Sequence, residues 1–335
     1  MGSGTESPMK KHFSRRDFVR SSLLASAAIP LSVRAQPVPE APAAPAGAKA
    51  DAQTLPKGRI GNLEVSRLIM GGNLIAGWAH SRDLPYVSTL MRRYNTPEKI
   101  RRTLELGEQN GITAINSWVM DDNSQILEHW KAGGKMKWIS QVRLDGDGGY
   151  SQINKAVDLG AAAIHLTGDT GEHLLDEGKF EKLGDAVEYI RGQKRVAGVA
   201  AHDLRVVVEC EKRKLNVDFY QKTLHTNEYF TGPKAGDPDR IGQNDNSWCS
   251  DAQAVIDVFA NITKPWIAFK ILAAGAIPPL RAFPYAVQGG ADFILVGMFD
   301  WQVEADATLA RKVFHVVSGP NSKRTRPWYG GPVAT

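Results

Sequence analysis

The structural unit that repeats along this chain is clearest in residues 138–165, WISQVRLDGDGGYSQINKAVDLGAAAIH. An apolar segment at 138–142 leads through a turn rich in glycine and aspartate into an amphipathic segment at 151–159. A second apolar segment follows at 162–165. Short apolar runs bounded by Gly and Asp are typical of buried strands, and the amphipathic segment is typical of a helix. The pattern predicts two parallel strands joined by a helix.

The same alternation continues on both sides of this unit. One helix is predicted to begin at Thr96-Pro97-Glu98, where a capping residue precedes a proline and an acidic residue. Eight alternations predict a (β/α)8 TIM barrel, and a doubly wound open sheet is the alternative. The predicted strands are 65–70, 114–117, 138–142, 162–165, 197–201, 218–222, 266–271 and 293–296. The long connection at 226–250 is predicted to be a lid or a binding loop.

The positive charge of the chain lies mostly at its amino terminus. The formal net charge is +5, and residues 1–35 hold six basic and two acidic residues, so the rest is nearly neutral. A nearly neutral body argues against nucleic acid as a partner. No later segment has the ~18 consecutive apolar residues of a membrane span.

Residues 1–35 have the features of a processing segment. Ser14-Arg15-Arg16-Asp17-Phe18 resembles the twin-arginine export motif, and an apolar stretch at 23–33 precedes a small-residue cleavage site near Ala35. We therefore expect export to the periplasm by the twin-arginine translocase. The alternative is a basic amphipathic helix.

The rest of the chain divides by composition. Residues 36–55 are rich in Pro and Ala and predict a disordered linker. The barrel is expected to span residues 56–318. Residues 319–335 are expected to form a C-terminal tail whose basic residues are solvated. Whether Cys210 and Cys249 form a disulfide is left open by their positions.

Several of these segments resemble the aldo/keto reductase superfamily. The matching pieces are Gly58-Arg59-Ile60-Gly61, Val65 to Gly72, Gly111 to Ser117, Ala163-Ile164-His165-Leu166, Val196 to Val199, Asp218-Phe219-Tyr220-Gln221 and Trp301-Gln302-Val303-Glu304. The resemblance spans residues 57–315. It implies a barrel whose active site lies at the carboxyl ends of the strands, and it implies NADPH-dependent carbonyl reduction by an Asp, a Tyr, a Lys and a His.

The chain departs from that catalytic set. Asn116 stands at the Asp position, Asp121 at the Tyr position and Val142 at the Lys position, and His165 alone is retained. Asp300 stands where the resemblance implies a basic residue for the 2′-phosphate, so NADP binding is expected to be weak. Gln221 matches the residue that holds the nicotinamide amide.

Polar side chains at the predicted strand ends are the candidates for replacement chemistry. Lys270 could act as a nucleophile or as a clamp for an oxyanion. The predicted catalytic residues are His165, His202, His225, Lys270 and Asp121. The predicted substrate-binding residues are Asn73, Trp78, His80, Asn116, Trp118, Gln141, Arg143, Gln221, Tyr229 and Trp301. Asp169 and Asp203 are further polar residues at the predicted strand ends, with no role assigned to them.

The cofactor is left open. A divalent metal held by His202, His225 and Glu228 is one hypothesis. Residues 273–277, with Gly297, could form a phosphate cradle, although Pro278 and Pro279 remove two backbone donors there.

The aromatic residues around the mouth favour a small-molecule substrate related to carbohydrate. We expect acid/base or metal-assisted lyase, isomerase or hydrolase chemistry on a carbonyl or sugar-like compound. The alternatives are an NAD(P)-dependent oxidoreductase with a rearranged catalytic set and a non-catalytic periplasmic binding protein.

Overall fold

The structure is a computed structural model that describes residues 54–80, 84–234 and 246–317, together with Arg326. It opens with a β-hairpin of β1 (Lys57–Ile60) and β2 (Leu63–Ser66), which pair antiparallel. The turn is made at Gly61, whose φ of +56° favours glycine. Ile60 and Val65 pack with the apolar side chains inside the barrel, so the hairpin closes the end opposite the carboxyl ends of the strands.

Eight parallel strands form a closed barrel, which confirms the predicted fold class. They are β3 (Leu68–Gly71), β4 (Ala114–Trp118), β5 (Lys137–Val142), β6 (Ala163–Leu166), β7 (Val196–Ala201), β8 (Phe219–Thr223), β9 (Trp266–Phe269) and β10 (Phe293–Gly297). They are neighbours in chain order, and β10 closes the ring by pairing with β3.

Helices cover the outside of the barrel and its mouth. They are α1 (Asn73–Ala76), α2 (Tyr86–Tyr94), α3 (Pro97–Gln109), α4 (Ser124–Lys131), α5 (Ser151–Asp158), α6 (Gly168–Asp176), α7 (Glu181–Gly192), α8 (Leu204–Lys212), α9 (Ala252–Phe259), α10 (Pro279–Gln288) and α11 (Val303–Val317), with a 3₁₀ turn at Ala273–Gly275. The predicted start of α3 is confirmed, because the side chain of Thr96 accepts a hydrogen bond from the Lys99 amide. None of the described helices is long and apolar enough to cross a membrane.

Two apolar cores follow from the alternation of side chains along each strand. Ile139 points into the barrel and packs with Ile69 and Phe293, whereas Val142 belongs to the layer between strands and helices. Successive residues of a strand face opposite sides. Gln141 and Arg143 therefore face the mouth, and Val142 does not, so Val142 cannot occupy the position of an inward-facing catalytic lysine.

Six predicted strands agree with the structure to within one residue at each end, and two differ by more. The segment 65–70 is two strands, because the chain breaks at Arg67, whose side chain reaches Asp292 O at 3.0 Å. The segment 266–271 ends at Phe269, because Lys270 adopts a left-handed φ of +55°.

The ends of the barrel domain also differ from expectation. Leu55, placed in the linker by composition, is buried in the core. Arg326, placed in a solvated tail, is buried against Asp292, because a carboxylate and two carbonyls bind its guanidinium. The predicted export segment, residues 36–53 and most of the tail lie outside the described residues. Cys210 and Cys249 are buried free thiols.

Candidate active site

A cavity of about 630 Å³ lies at the carboxyl ends of the barrel strands. Its walls come from all eight strands and from α1 and α2, which lie across one side of the mouth. Ten of the predicted catalytic and substrate-binding residues line it: Asn73, Trp78, His80, Asn116, Gln141, Arg143, His165, His202, Gln221 and Lys270.

Amide side chains at the bottom of the cavity form a continuous hydrogen-bond network. Nε2 of Gln141 donates to Oδ1 of Asn116 at 2.8 Å, and Nδ2 of Asn116 donates to Nε2 of His165 at 2.9 Å and to Oε1 of Gln221 at 3.2 Å. This network fixes the orientation of each amide. It leaves Oε1 of Gln141 as an acceptor and the NH₂ group of Gln221 as a donor toward a ligand.

His165 is held neutral within this network. It is fully buried, and burial lowers its pKa to about 4. Nδ1 donates to the Leu166 carbonyl at 3.2 Å, while Nε2 accepts from Asn116. Because both ring nitrogens are hydrogen-bonded within the protein, His165 forms part of the polar floor of the cavity and is a poor proton carrier.

His202, at the end of β7, forms a pair with Glu172 of α6. Nδ1 of His202 lies 3.2 Å from Oε1 of Glu172, which also accepts from the backbone amides of His202 and Asp203. Burial acts to raise the pKa of Glu172, but these hydrogen bonds and the charge of His202 outweigh it and lower the pKa to about 2. Because the carboxylate accepts a hydrogen bond from Nδ1, the neutral ring carries its proton on Nδ1 and keeps a lone pair on Nε2, as a general base requires.

Two glycines allow α6 to bring Glu172 this close. A Cβ at Gly168 would lie 2.7 Å from Nδ1 of His202, and one at Gly171 would lie 2.9 Å from Cγ1 of Val206. Both distances are too short for a side chain. The sequence Gly168-Asp169-Thr170-Gly171-Glu172 is therefore the local signal that could have identified Glu172, which the sequence analysis missed.

Lys270 follows directly after β9 and lies near the same part of the cavity as His202. Its Nζ lies 2.7 Å from Nε2 of His80 and 3.6 Å from the centroid of the Trp248 ring. The backbone here has positive φ at three non-glycine residues, Lys270, Ala273 and Ala274. Such strain persists where the surrounding structure imposes it, and it is often found at functional sites.

The Trp248 ring contacts both His202 and Lys270. His202 packs on it at 4.7 Å between ring centroids and His80 at 5.0 Å, while Lys270 lies over its face. A base and a cation therefore approach the same part of the cavity. Trp248 comes from the predicted binding loop, of which residues 235–245 lie outside the described part of the chain.

Aromatic and charged residues form the rim of the cavity. Nε1 of Trp78 donates to Oδ1 of Asp121 at 2.7 Å, and the Trp78 and Trp118 rings lie 5.8 Å apart. Arg143 lies over the Trp118 ring at 5.1 Å and pairs with Asp169 at 2.6 Å. Burial raises the pKa of Asp121, which does not itself line the cavity.

The structure does not bring the proposed metal ligands His202, His225 and Glu228 together. Nε2 of His225 accepts from the Trp248 amide at 3.0 Å, and Nδ1 lies 3.0 Å from the Thr226 carbonyl, so neither nitrogen faces the cavity. In the part of the chain that the structure describes, no group of three His, Cys, Asp or Glu side chains could hold a metal ion.

The remaining predicted residues lie beside the cavity. Tyr229 donates to the Asn246 carbonyl at 2.7 Å, and Asp203 caps α8. Trp301 is exposed and stacks on Phe299. These contacts give each of the three a structural role.

Solved structures share this fold, and two aldo-keto reductase structures are among them. No protein-family model matches the chain, and no curated protein matches it in sequence. A Pseudomonas aeruginosa protein assigned to the aldo-keto reductases is 16% identical with a TM-score of 0.53, covering 78% of this chain and 98% of its own. An aldo-keto reductase from Bacillus halodurans in its holo form is 12% identical with a TM-score of 0.52, covering 80% and 98%. These likenesses show the barrel fold.

The residues at the strand ends do not fit nicotinamide-dependent carbonyl reduction. Asp121, at the position where the resemblance implies a proton-donating Tyr, bonds to Trp78 at the rim and does not line the cavity. Asp300 accepts from the Tyr94 hydroxyl at 2.7 Å and lies 3.8 Å from Lys99.

Proposed function

We propose that this barrel is an enzyme that performs acid/base chemistry on a small carbonyl compound related to a sugar. One observation carries the proposal. His202 is hydrogen-bonded to Glu172, and both His202 and Lys270 pack against the same Trp248 ring inside one cavity. A base with a carboxylate behind it, together with a cation, is what removal of a proton next to a carbonyl group requires.

The proposed step conserves atoms and charge. Nε2 of His202 takes the proton from the carbon beside the carbonyl, and the C–H electron pair forms a carbon–carbon double bond. The carbonyl π electrons move to oxygen, where the Lys270 ammonium stabilises the negative charge. Return of the proton to a different carbon or face gives an isomerase, and loss of a group from the next carbon gives a lyase.

The floor of the cavity suits a polyhydroxylated substrate. Gln141 offers an acceptor and Gln221 a donor, and both are fixed by their bonds to Asn116. The Trp78 and Trp118 rings at the rim supply apolar faces of the kind that sugar rings stack on. These features support a sugar-like substrate class.

Hydrogen exchange tests the proposal even while the product is unidentified. Purified protein is incubated in D₂O with a panel of aldoses, ketoses and keto-glycosides, and ¹H NMR follows the hydrogens next to each carbonyl. We expect enzyme-dependent loss of one such signal, abolished in His202→Gln. Absence of exchange across the panel, together with NADPH oxidation by any member, would replace the proposal by the oxidoreductase alternative.

We also propose that the chain is exported to the periplasm by the twin-arginine translocase, on the basis of Ser14-Arg15-Arg16-Asp17-Phe18. Replacing Arg15 and Arg16 by lysine should leave the full-length protein in the cytoplasm. Fractionation and mass determination of the amino terminus measure this, with Lys10→Arg as the matched control. Normal periplasmic accumulation of the double variant would contradict the proposal.

A further inference from the structure

The cavity has two chemically different halves, and the division follows the order of the strands. The arc of the mouth from β4 to β8 presents polar side chains, and we call it the polar arc. Its lining residues include Asn116, Gln141, Arg143, His165, His202 and Gln221. All the lining residues of this arc are polar except Gly168 and Ala200.

The arc formed by β9, β10 and β3 with α1 and α2 is mostly apolar, and we call it the apolar arc. Its lining residues include Leu74, Val87, Met91, Leu272, Val296 and Phe299. Lys270 and His80 stand on this side, next to the Trp248 ring. The apolar arc therefore extends past the two residues, His202 and Lys270, that are proposed to act on the carbonyl group.

A free monosaccharide would leave this second half exposed to water. Hexose rings have hydroxyl groups around their whole edge, and the apolar arc offers few partners for them. Removing a polar group from water without giving it a hydrogen-bond partner costs free energy. A ligand that fills both halves needs one polyhydroxylated end and one apolar end.

We infer that the substrate is a keto-glycoside, a glycoside whose sugar carries a ketone, with an apolar aglycone. Its sugar lies against the polar arc and its aglycone against the apolar arc. The inference rests on the proposed function for the position of the reacting carbon. His202 and Lys270 then lie near the boundary between the two halves, close to the bond that joins sugar and aglycone. The cavity of about 630 Å³ is large enough for such a two-part ligand.

Matched pairs of glycosides test this inference. Phenyl and methyl glycosides of glucose, galactose, mannose and xylose are titrated into the purified protein, with tryptophan fluorescence and calorimetry as readouts. We expect the phenyl member of at least one pair to bind at least about tenfold more tightly, because burial of the ring removes apolar surface from water. Equal affinities within every pair, or no binding at all, would overturn the inference.

Substitutions on the two faces of α2 locate the aglycone. Val87 lines the cavity, whereas Leu90 on the same helix is exposed to solvent. Val87→Gln should reduce the phenyl-to-methyl affinity ratio several-fold, and Leu90→Gln should leave that ratio unchanged. Leu272→Gln is a second test on the other side of the apolar arc. Folding of each variant is checked by circular dichroism.

The two proposals fail in different ways. Hydrogen exchange without a phenyl preference would overturn the amphipathic substrate and leave the acid/base function standing. A phenyl preference that depends on Val87, without exchange in any compound, would support the two-part site and argue against the proposed chemistry.

Discussion

Nζ of Lys270 lies 2.7 Å from Nε2 of His80, although 190 positions separate the two residues in the sequence. An ammonium group has only donors, so Nε2 of His80 is the acceptor and the His80 ring carries its proton on Nδ1. Trp248 lies beneath both groups. His80, in the segment between α1 and α2, therefore orients the ammonium group of Lys270, which follows β9.

Loss of that cation should slow the reaction with little effect on folding. We expect Lys270→Met to lower kcat about 10²- to 10³-fold, the usual cost of removing one donor to a developing oxyanion. His80→Ala should have a smaller effect, since it frees the ammonium from one contact but keeps the charge. Exchange rates in D₂O measure both, and Lys131→Met, on the exposed face of α4, is the control. A Lys270→Met variant with normal kcat would remove lysine from the mechanism.

Glu172 should act through His202, and a pH profile distinguishes this from a structural role. Burial lowers the pKa of His202, and Glu172 partly opposes that shift. The active form is neutral, so activity rises with pH through this pKa, below the ordinary value of 6.5. Glu172→Gln should lower kcat by about 10² and move the acidic limb to lower pH. Asp176→Asn, further along α6, should change neither; an unmoved limb in Glu172→Gln would show that Glu172 only supports the fold.

The buried histidines should make stability depend on pH. His165 and His225 have pKa values of about 4, lowered chiefly by burial from 6.5. Their neutral forms fit the fold, so stability is highest above pH 6.5 and falls as the unfolded chain takes up protons between pH 6.5 and 4. Each residue accounts for up to about 3 kcal/mol of the loss.

Urea unfolding at several pH values between 7 and 5 measures this dependence. His225→Gln should flatten the curve, and His173→Gln, at an exposed site on α6, should leave its slope as it is. A flat wild-type curve over this range would contradict the assignment of two buried neutral rings.

Arg326 should contribute strongly to stability. It pairs with buried Asp292 at 2.9 Å and donates to the carbonyls of Phe259 and Lys264. Arg326→Ala removes a charge-assisted hydrogen bond from a buried carboxylate that keeps the Trp266 amide and the charge of Arg67, so we expect a cost of about 3 kcal/mol. Thermal and urea unfolding measure the change. Lys57→Ala, which breaks an exposed pair with Glu64, should cost less than about 1 kcal/mol, and equal losses in the two variants would refute the role of Arg326.

The sequence alone was enough to predict the barrel, because alternating apolar and amphipathic segments are local patterns. Residues 138–165 predict a strand, a helix and a strand from their own side chains, and the structure places β5, α5 and β6 there. The same argument placed ten of the predicted catalytic and substrate-binding residues on the cavity, since residues at the carboxyl ends of parallel strands meet at one mouth.

Tertiary structure determined which of those residues can act. His165, His202 and His225 all follow apolar strand segments. His165 gives both nitrogens to Asn116 and Leu166, His225 binds the backbone of the loop that carries Trp248, and His202 alone of the three meets a carboxylate. Those partners come from residues up to 49 positions away, so no local pattern contains them. A proton's position on an imidazole depends on the groups around the ring, and only the folded chain brings those groups together.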